Sequence, residues 1–234
     1  MKRIIPLLFL FSFALNPPGY GQKISKDGKE ILPDDLYRQE YPDGQVYRLI
    51  QHKNNQPNGL FQTFYESGKL MGEGNYREGM LEGLAKAYYE NGEIKMIAPY
   101  TDGKLNGPVN VYYANGYLKS EINYVDGDRQ GLAKEYREDG TLWREKEYRQ
   151  GKENGSAQEY SSTGDPIYNA HFEAGEQNGV IREYNKEGDL LRAYEARAGI
   201  PDGLDKEYYE TGELKSEGHY RQGTLEGTLK TFSK

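Results

Sequence analysis

The chain has 234 residues, a net charge of −7 and no cysteine. The missing cysteines exclude disulfides and thiolate metal sites. The acidic balance argues against a nucleic-acid-binding surface, which would carry an excess of Lys and Arg. With 29 glycines, 22 tyrosines and 35% hydrophobic residues, the composition predicts many tight turns between short strands, with tyrosine rings supplying the buried area.

The amino terminus has the features of a secretory signal peptide. Lys2 and Arg3 precede an apolar run over residues 4–15, which is followed by prolines and a small-x-small cleavage pattern. We therefore predict a signal peptide over residues 1–21, a polar linker over residues 22–34, and export to the periplasm, the cell surface or the medium. An uncleaved membrane anchor is the alternative, but the run is shorter than the ~20 residues that a membrane span requires.

Glycines and aromatic residues then recur with a strict 24-residue period, without insertion or deletion. Such a period is the sequence signature of a repeat architecture. One glycine column comprises Gly59, Gly83, Gly107, Gly131, Gly155, Gly179, Gly203 and Gly227. One aromatic column comprises Phe64, Tyr88, Tyr112, Tyr136, Tyr160, Tyr184, Tyr208 and Phe232, and a second comprises Tyr76, Tyr100, Tyr124, Tyr148, Phe172 and Tyr220.

Each 24-residue repeat is predicted to contain two short strands and two turns. Residues 84–89 and 94–100 predict the strands, and Gly-containing segments predict the turns between them. We therefore predict an all-β fold, an elongated antiparallel meander of tandem 24-residue hairpins in a single twisted sheet. Residues 35–58 form a degenerate N-terminal cap repeat, and residues 59–234 form seven full repeats and a final half repeat.

Alternation along the second strand predicts which columns share a face. The column that begins at Leu70 is expected on the same face as the column that begins at Tyr76, and charged residues are expected on the other face. Trp143, Ile167 and Leu191 are apolar exceptions on that charged face.

The motif Y-x-x-G-x-x-x-G, which recurs along the chain, resembles the MORN repeat, in the bacterial variant found in YwqK-family antitoxins. Residues 76–83, 100–107 and 220–227 carry this resemblance, reading YREGMLEG, YTDGKLNG and YRQGTLEG. The resemblance covers residues 35–234. It implies hairpin repeats that form a grooved sheet for protein contacts, toxin neutralisation in some relatives, and a suggested association with membrane lipids.

Few residues are arranged for catalysis or metal binding. The chain has three histidines, and His171 and His219 are 48 residues apart, which places four strands between them and excludes a shared metal. The column Glu135, Glu159, Glu183 and Glu207 forms a ladder with a spacing of about 9–10 Å. We expect it to lie on a solvated surface, balanced by the adjacent column Lys86, Lys134, Arg182, Lys206 and Lys230. The sequence predicts neither an enzyme nor a cofactor.

Paired tyrosines suggest a contact surface instead. Adjacent strand residues point to opposite faces, so one ring of each Tyr-Tyr pair is expected to be packed and the other exposed. Tyr65, Tyr89 and Tyr113 form the predicted exposed run, and aromatic rings are favoured at interfaces. We predict that these three residues contact a protein partner.

The resulting functional prediction is an exported, non-enzymatic protein-interaction scaffold. An antitoxin or immunity protein that neutralises a toxin is one alternative, and an envelope protein that binds glycan or lipid is another. The signal peptide disfavours the antitoxin alternative unless the toxin acts outside the cytoplasm.

Overall fold

The computed structural model describes residues 36–233, so the predicted signal peptide and linker lie outside the described residues. The described chain contains twenty β-strands and no helix, and hence no helix able to cross a membrane. The first seven strands are β1 Leu36–Glu40, β2 Val46–Lys53, β3 Gln56–Phe64, β4 Leu70–Arg77, β5 Met80–Tyr88, β6 Ile94–Thr101 and β7 Lys104–Leu105. The others are β8 Gly107–Tyr112, β9 Leu118–Val125, β10 Asp128–Arg129, β11 Gly131–Tyr136, β12 Leu142–Arg149, β13 Lys152–Tyr160, β14 Pro166–Glu173, β15 Glu176–Gln177, β16 Gly179–Tyr184, β17 Leu190–Arg197, β18 Ile200–Tyr208, β19 Leu214–Arg221 and β20 Thr224–Thr231.

The chain divides into two compact units. The first unit contains β1–β7 and also includes residues 114–116, whereas the second unit contains β8–β20. Within each unit, strands pair antiparallel with strands adjacent in sequence, as in β2–β3–β4–β5–β6 and in β16–β17–β18–β19–β20. The predicted all-β antiparallel meander of tandem hairpins is therefore confirmed.

Glycine is required in both kinds of turn that join these strands. In the turn between β5 and β6, Tyr89 N–H donates to Glu93 O at 2.8 Å, and Gly92 has φ +93°. In the turn between β6 and β7, Asp102 and Gly103 both have positive φ, +47° and +77°. Consecutive positive φ angles are typical of the tight hairpin turns that match strand twist.

The longer of the two turns, such as the turn between β5 and β6, is called the wide turn. One extra residue follows each wide turn and changes the alternation of the second strand. In the hairpin of β3 and β4, Phe64 pairs with Leu70, whereas Thr63 pairs with Gly72, which leaves Met71 unpaired. The same register shift occurs beside Tyr88, Tyr112, Tyr136, Tyr160, Tyr184 and Tyr208. The extra residue is a β-bulge, which breaks the simple alternation of side chains.

This bulge overturns the predicted sharing of faces. Residues paired across two antiparallel strands lie on the same face, so Leu70 lies with Phe64 and not with Tyr76. The expectation that the Leu70 and Tyr76 columns share a face is therefore wrong. We call the face of Phe64 and Leu70 the outer face. The inner face carries Tyr76 and Phe61, and the centroids of these two rings are 5.2 Å apart.

The inner face contains the packed core of each unit. In the first unit it buries small and apolar side chains: Ile50, Phe61, Ala85, Ala87, Met96 and Ala98. In the second unit a cluster of Ala170, Ile181 and Ala196 is covered by Tyr168, Phe172 and Tyr194. Small residues therefore alternate with large rings, which brings side chains of one sheet face close enough to cover each other.

Substitution of Gly74 tests this packing, because the structure leaves no space for a side chain at this position. A Cβ atom on Gly74 would lie 2.6 Å from Phe61 Cε1 and 3.2 Å from Ala85 Cβ. We expect Gly74→Ala to lower the free energy of unfolding by about 1–3 kcal/mol, the usual cost of overpacking, as measured by urea denaturation.

Gly218, six repeats later in the same column, provides the matched control. A Cβ atom there would meet the tips of Leu225 and Leu229, at 2.9 and 3.0 Å. Leu229 is 44% exposed, so its side chain has space to move aside. Equal losses of stability in Gly74→Ala and Gly218→Ala would contradict this account of the core.

Candidate functional site

Four of the tyrosines that open wide turns bond to the next repeat. The Tyr65 hydroxyl donates to Tyr88 O at 2.7 Å, and the Tyr113 hydroxyl donates to Tyr136 O at 2.8 Å. Two further turn tyrosines make the same bond, Tyr41 to Phe64 O and Tyr209 to Phe232 O. Each of these hydroxyls spans 23 residues of sequence, so it links consecutive hairpins at their turn ends.

The predicted exposure of Tyr65, Tyr89 and Tyr113 is only partial. All three side chains are half-buried, and they belong to turns, where strand alternation does not apply. Tyr65 and Tyr89 lie in the first unit and Tyr113 in the second. Burial raises the pKa of the Tyr65 phenol. The structural role of the Tyr65 and Tyr113 hydroxyls explains why tyrosine occupies these positions, and partner contact by the three residues stays a prediction.

The links are interrupted within the second unit. Arg137 replaces the first missing tyrosine, and its guanidinium donates to Tyr160 O, Ser161 O and Leu142 O. Ser161 and Asn185 occupy the next two positions, and their short side chains accept hydrogen bonds from N–H groups of their own turns. The turns that begin at Ser161 and Asn185 therefore lack a side-chain bond of the tyrosine type to the following hairpin.

Removing a linking hydroxyl tests its contribution to stability. We expect Tyr65→Phe to lower the free energy of unfolding by about 1 kcal/mol, because it removes one hydrogen bond and leaves the Tyr88 carbonyl without this donor. Urea denaturation measures the change. Tyr37→Phe is the control, since Tyr37 contacts His52 through its ring, and an equal loss in both variants would refute the link.

The acidic column lies on the inner face, where its carboxylates are half-exposed. Glu159 is two residues from the buried Ala157 on the same strand, β13. Its charge partner is on the neighbouring strand, because Arg144 lies between Glu135 and Glu159 in the sheet. The expected balance by the column that contains Lys134 and Lys206 is therefore wrong. Lys206 instead pairs with Glu217 at 3.3 Å.

Neutralisation along this acidic column is uneven. Arg144 Nη2 lies 2.9 Å from Glu135, but Arg144 Nη1 is 4.0 Å from Glu159. Arg192 is opposite Glu183 in the sheet, yet its guanidinium makes two hydrogen bonds to Asp205, at 3.0 and 2.7 Å. Within residues 36–233, Glu183 forms no ion pair. Glu159 and Glu183 are thus the least neutralised carboxylates of the column.

Tyr168 stands between these two carboxylates. On β14 it pairs with Glu159 of β13 on one side and with Glu183 of β16 on the other. Paired residues have Cβ atoms about 4.5–5.5 Å apart, so the two glutamates are separated by roughly 10 Å across the ring. Burial, followed by smaller contributions that include both glutamates, raises the Tyr168 pKa. We call Glu159, Tyr168 and Glu183 the acidic–aromatic site.

The first unit has the same backbone positions but different side chains. Thr63 and Ala87 stand where the second unit has Glu159 and Glu183, and both are buried. Between them, Gly72 replaces the tyrosine. The inner face therefore forms a closed core in the first unit and a half-exposed, charged surface in the second.

On the outer face, the tyrosines of the Tyr88 column bond to acidic side chains. The Tyr88 hydroxyl donates to Glu73 at 2.7 Å, and the Tyr160 hydroxyl donates to Glu145 at 2.9 Å. Burial and these hydrogen bonds raise the pKa of Tyr88 to about 12 and that of Tyr160 to about 12. These hydrogen bonds link side chains of neighbouring strands on the outer face.

Alkaline titration tests these bonds. Because both pKa values exceed the ordinary 10.0, the fold stabilises the neutral phenols; this stabilisation is complete below pH 10 and is lost as the pH rises through about 12. We expect phenolate absorbance to show a titration phase near pH 12 that is smaller in Tyr88→Phe/Tyr160→Phe by the absorbance of two phenols. A phase of undiminished size in this double variant would contradict the assignment.

The histidines are not members of the acidic–aromatic site. His52 packs against Tyr37 at 5.4 Å, and His219 lies 3.5 Å from Glu226. In the described part of the chain, no three His, Asp or Glu side chains are grouped as metal ligands. Carboxylates, arginines and tyrosine rings are therefore the groups that this surface offers to a ligand, and they suit charged and aromatic contacts.

Sequence reasoning found the glutamates but missed Tyr168, Arg144 and Arg192. A signal for them exists in the sequence. Their column holds Gly72 and Met96 in the first unit, whereas it holds Arg144, Tyr168 and Arg192 in three consecutive later repeats. The sequence prediction assumed simple alternation without a bulge, which places these residues and the glutamates on opposite faces. This signal was therefore not recognised.

The repeated antiparallel hairpins, linked turn to turn, define a tandem β-hairpin repeat protein. Five segments of the chain match the family described as MORN repeat variant: residues 57–78, 81–102, 105–126, 129–150 and 201–222. These five segments therefore match MORN repeats, which are non-catalytic and generally serve as modules of protein or membrane interaction. A comparison with curated proteins found no match.

The matched segments leave a gap in the middle of the second unit. No match falls between residues 150 and 201, although the glycine register continues through Gly155 and Gly179. This gap contains Ser161 and Asn185, the positions without a linking tyrosine, and all of the acidic–aromatic site. The two divergent repeats therefore keep the backbone pattern and differ in their side chains.

Proposed function

We propose that the protein is an exported, non-enzymatic scaffold that binds a protein partner. The observation that carries the proposal is the half-exposed inner face of the second unit, where Glu159 and Glu183 flank Tyr168. Carboxylates that lack full neutralisation suit a partner with positive charge. Interaction through MORN repeats is consistent with this role.

A protein partner fits this face better than a membrane surface. Membrane surfaces that attract proteins electrostatically carry anionic lipids and bind clusters of Lys and Arg. The exposed charge of the acidic–aromatic site has the opposite sign, and the whole chain has a net charge of −7. Repulsion therefore disfavours an anionic bilayer as the ligand of this face.

Export rests on the amino-terminal sequence. Lys2, Arg3 and the apolar run that follows support targeting to the secretory pathway. An extracytoplasmic partner is then required. An immunity protein against an exported toxin is one form of this function, and it is distinguished by the identity of the captured partner.

Crosslinking in the cell tests the proposed function. The full chain is expressed, the cells are treated with an amine-reactive crosslinker that does not enter them, and crosslinked proteins are identified by mass spectrometry. We expect adducts with an envelope protein, and a mature chain whose mass corresponds to cleavage after Gly21. The captured protein, once purified, should bind the purified chain.

Charge reversal at the amino terminus is the control. Lys2→Glu/Arg3→Glu should retain the chain in the cytoplasm, because the positive end of a signal peptide is needed for targeting, and should abolish the adducts. A wild-type chain that keeps its amino terminus and stays in the cytoplasm would overturn the proposal.

A further inference from the structure

We infer that the acidic–aromatic site and its apolar neighbours bind a cationic, partly apolar segment of the protein partner, an inference that rests on the proposed function. The occupant is a stretch of chain with basic side chains spaced to meet Glu159 and Glu183. Three features of the two divergent repeats support this assignment: charge, the side chains beside the wide turns, and the interrupted tyrosine links.

Charge gives the site its preference. Arg144 is directed mainly to Glu135, at 2.9 Å, and Arg192 mainly to Asp205, at 2.7 Å. Both arginines are thus occupied by other carboxylates. A guanidinium or ammonium group from a partner is attracted to Glu159 and Glu183, and it gains further stabilisation from the face of the ring between them.

The residues at the bulge position supply the apolar part. In three other repeats a lysine occupies this position, at Lys95, Lys119 and Lys215, whereas β4 has Met71 there. Lys95 lies over the Tyr89 ring at 5.4 Å, and Lys119 lies over the Tyr113 ring at 5.2 Å. In three consecutive repeats of the second unit the position instead holds Trp143, Ile167 and Leu191. Loss of the lysines removes positive charge that would repel a cationic segment, and it adds apolar surface.

Trp143, Ile167 and Leu191 are also accessible. Trp143 is 37% exposed and carries the Arg144 guanidinium over its ring at 4.4 Å, while Ile167 and Leu191 are half-exposed. Equivalent positions in successive hairpins are two strands apart, about 9–10 Å. The apolar residues and the two carboxylates therefore repeat with the same spacing across the strands.

The interrupted links coincide with this surface. Ser161 and Asn185 are short, so Ile167 and Leu191 lack the turn tyrosine that places a ring beside Lys95 and Lys119. The missing rings leave the bulge residues uncovered on that side. In two successive repeats, Ser161 and Asn185 replace the turn tyrosine, and Ile167 and Leu191 replace the bulge lysine. Both replacements lie within the segment that no MORN match covers.

The spacing defines the occupant further. A segment in the polyproline II conformation rises about 3.1 Å per residue with three residues per turn, so basic residues three positions apart lie on one side of it and are separated by roughly 9 Å. This is close to the separation of the two carboxylates. A segment that crosses the strands with a basic residue at every third position meets both glutamates, and apolar residues between them reach the neighbouring aliphatic side chains.

Peptide binding tests the inference directly. The probe is a fluorescent nine-residue peptide, (Arg-Leu-Ser)₃, titrated against the purified mature chain with fluorescence anisotropy. We expect Glu159→Gln/Glu183→Gln to raise the Kd about tenfold or more, because both charge partners are lost. Tyr168→Leu is expected to weaken binding as well, and (Arg-Ser-Ser)₃ is expected to bind less tightly than the probe.

Glu90→Gln/Glu210→Gln is the matched control. Both residues are exposed in wide turns, and their replacement changes the net charge by the same amount. The control is expected to alter the Kd less than twofold, and thermal unfolding establishes that all variants are folded. Equal weakening by the two double variants, or no binding of the probe by the wild-type chain, would overturn the inference.

Two further measurements distinguish an error in this site from an error in the proposed function. If Glu159→Gln/Glu183→Gln keeps every envelope crosslink of the wild type, the site is wrong and the scaffold function stands. If the wild-type chain forms no such crosslinks, the function fails. Binding to vesicles of anionic phospholipid in preference to the peptide would also overturn the inference, because it requires the opposite charge preference.

Discussion

The extra residue that follows each wide turn determines the rest of this structure. Because Leu70 pairs with Phe64 while Thr63 pairs with Gly72, the aliphatic column lies with the Tyr88 column on the outer face. The inner face is then left to small residues, to the Tyr76 column and, in the second unit, to the glutamates. A register without the bulge would place the glutamates and Tyr168 on opposite faces.

Most of the fold followed from periodicity, because a strict 24-residue register with glycine at the turns permits little besides tandem antiparallel hairpins. The faces did not follow, since a bulge leaves the residue pattern unchanged and shifts alternation by one residue. The role of Tyr65 was also beyond the pattern, because its bond to Tyr88 O depends on the approach of two turns. The glutamate column was identifiable from sequence, whereas its arginine partners needed the correct face.

The divergent repeats show how one backbone serves two purposes. Where Thr63, Gly72 and Ala87 occupy the inner face, the repeat closes its own core. Where Glu159, Tyr168 and Glu183 occupy the same positions, the core cluster consists of Ala170, Ile181, Ala196 and the rings that pack on them, and charge remains accessible. Repeat proteins tolerate this exchange because each repeat is stabilised mainly by its neighbours.

The central claim is that partner contact is confined to the inner face of the divergent repeats. Nuclear magnetic resonance of the isotope-labelled mature chain, titrated with (Arg-Leu-Ser)₃, tests it most directly. The account predicts amide shift changes confined to β12–β17, greatest at Glu159, Tyr168 and Glu183. Changes centred instead on β3–β6 of the first unit, or on β18–β20 of the second, would contradict it.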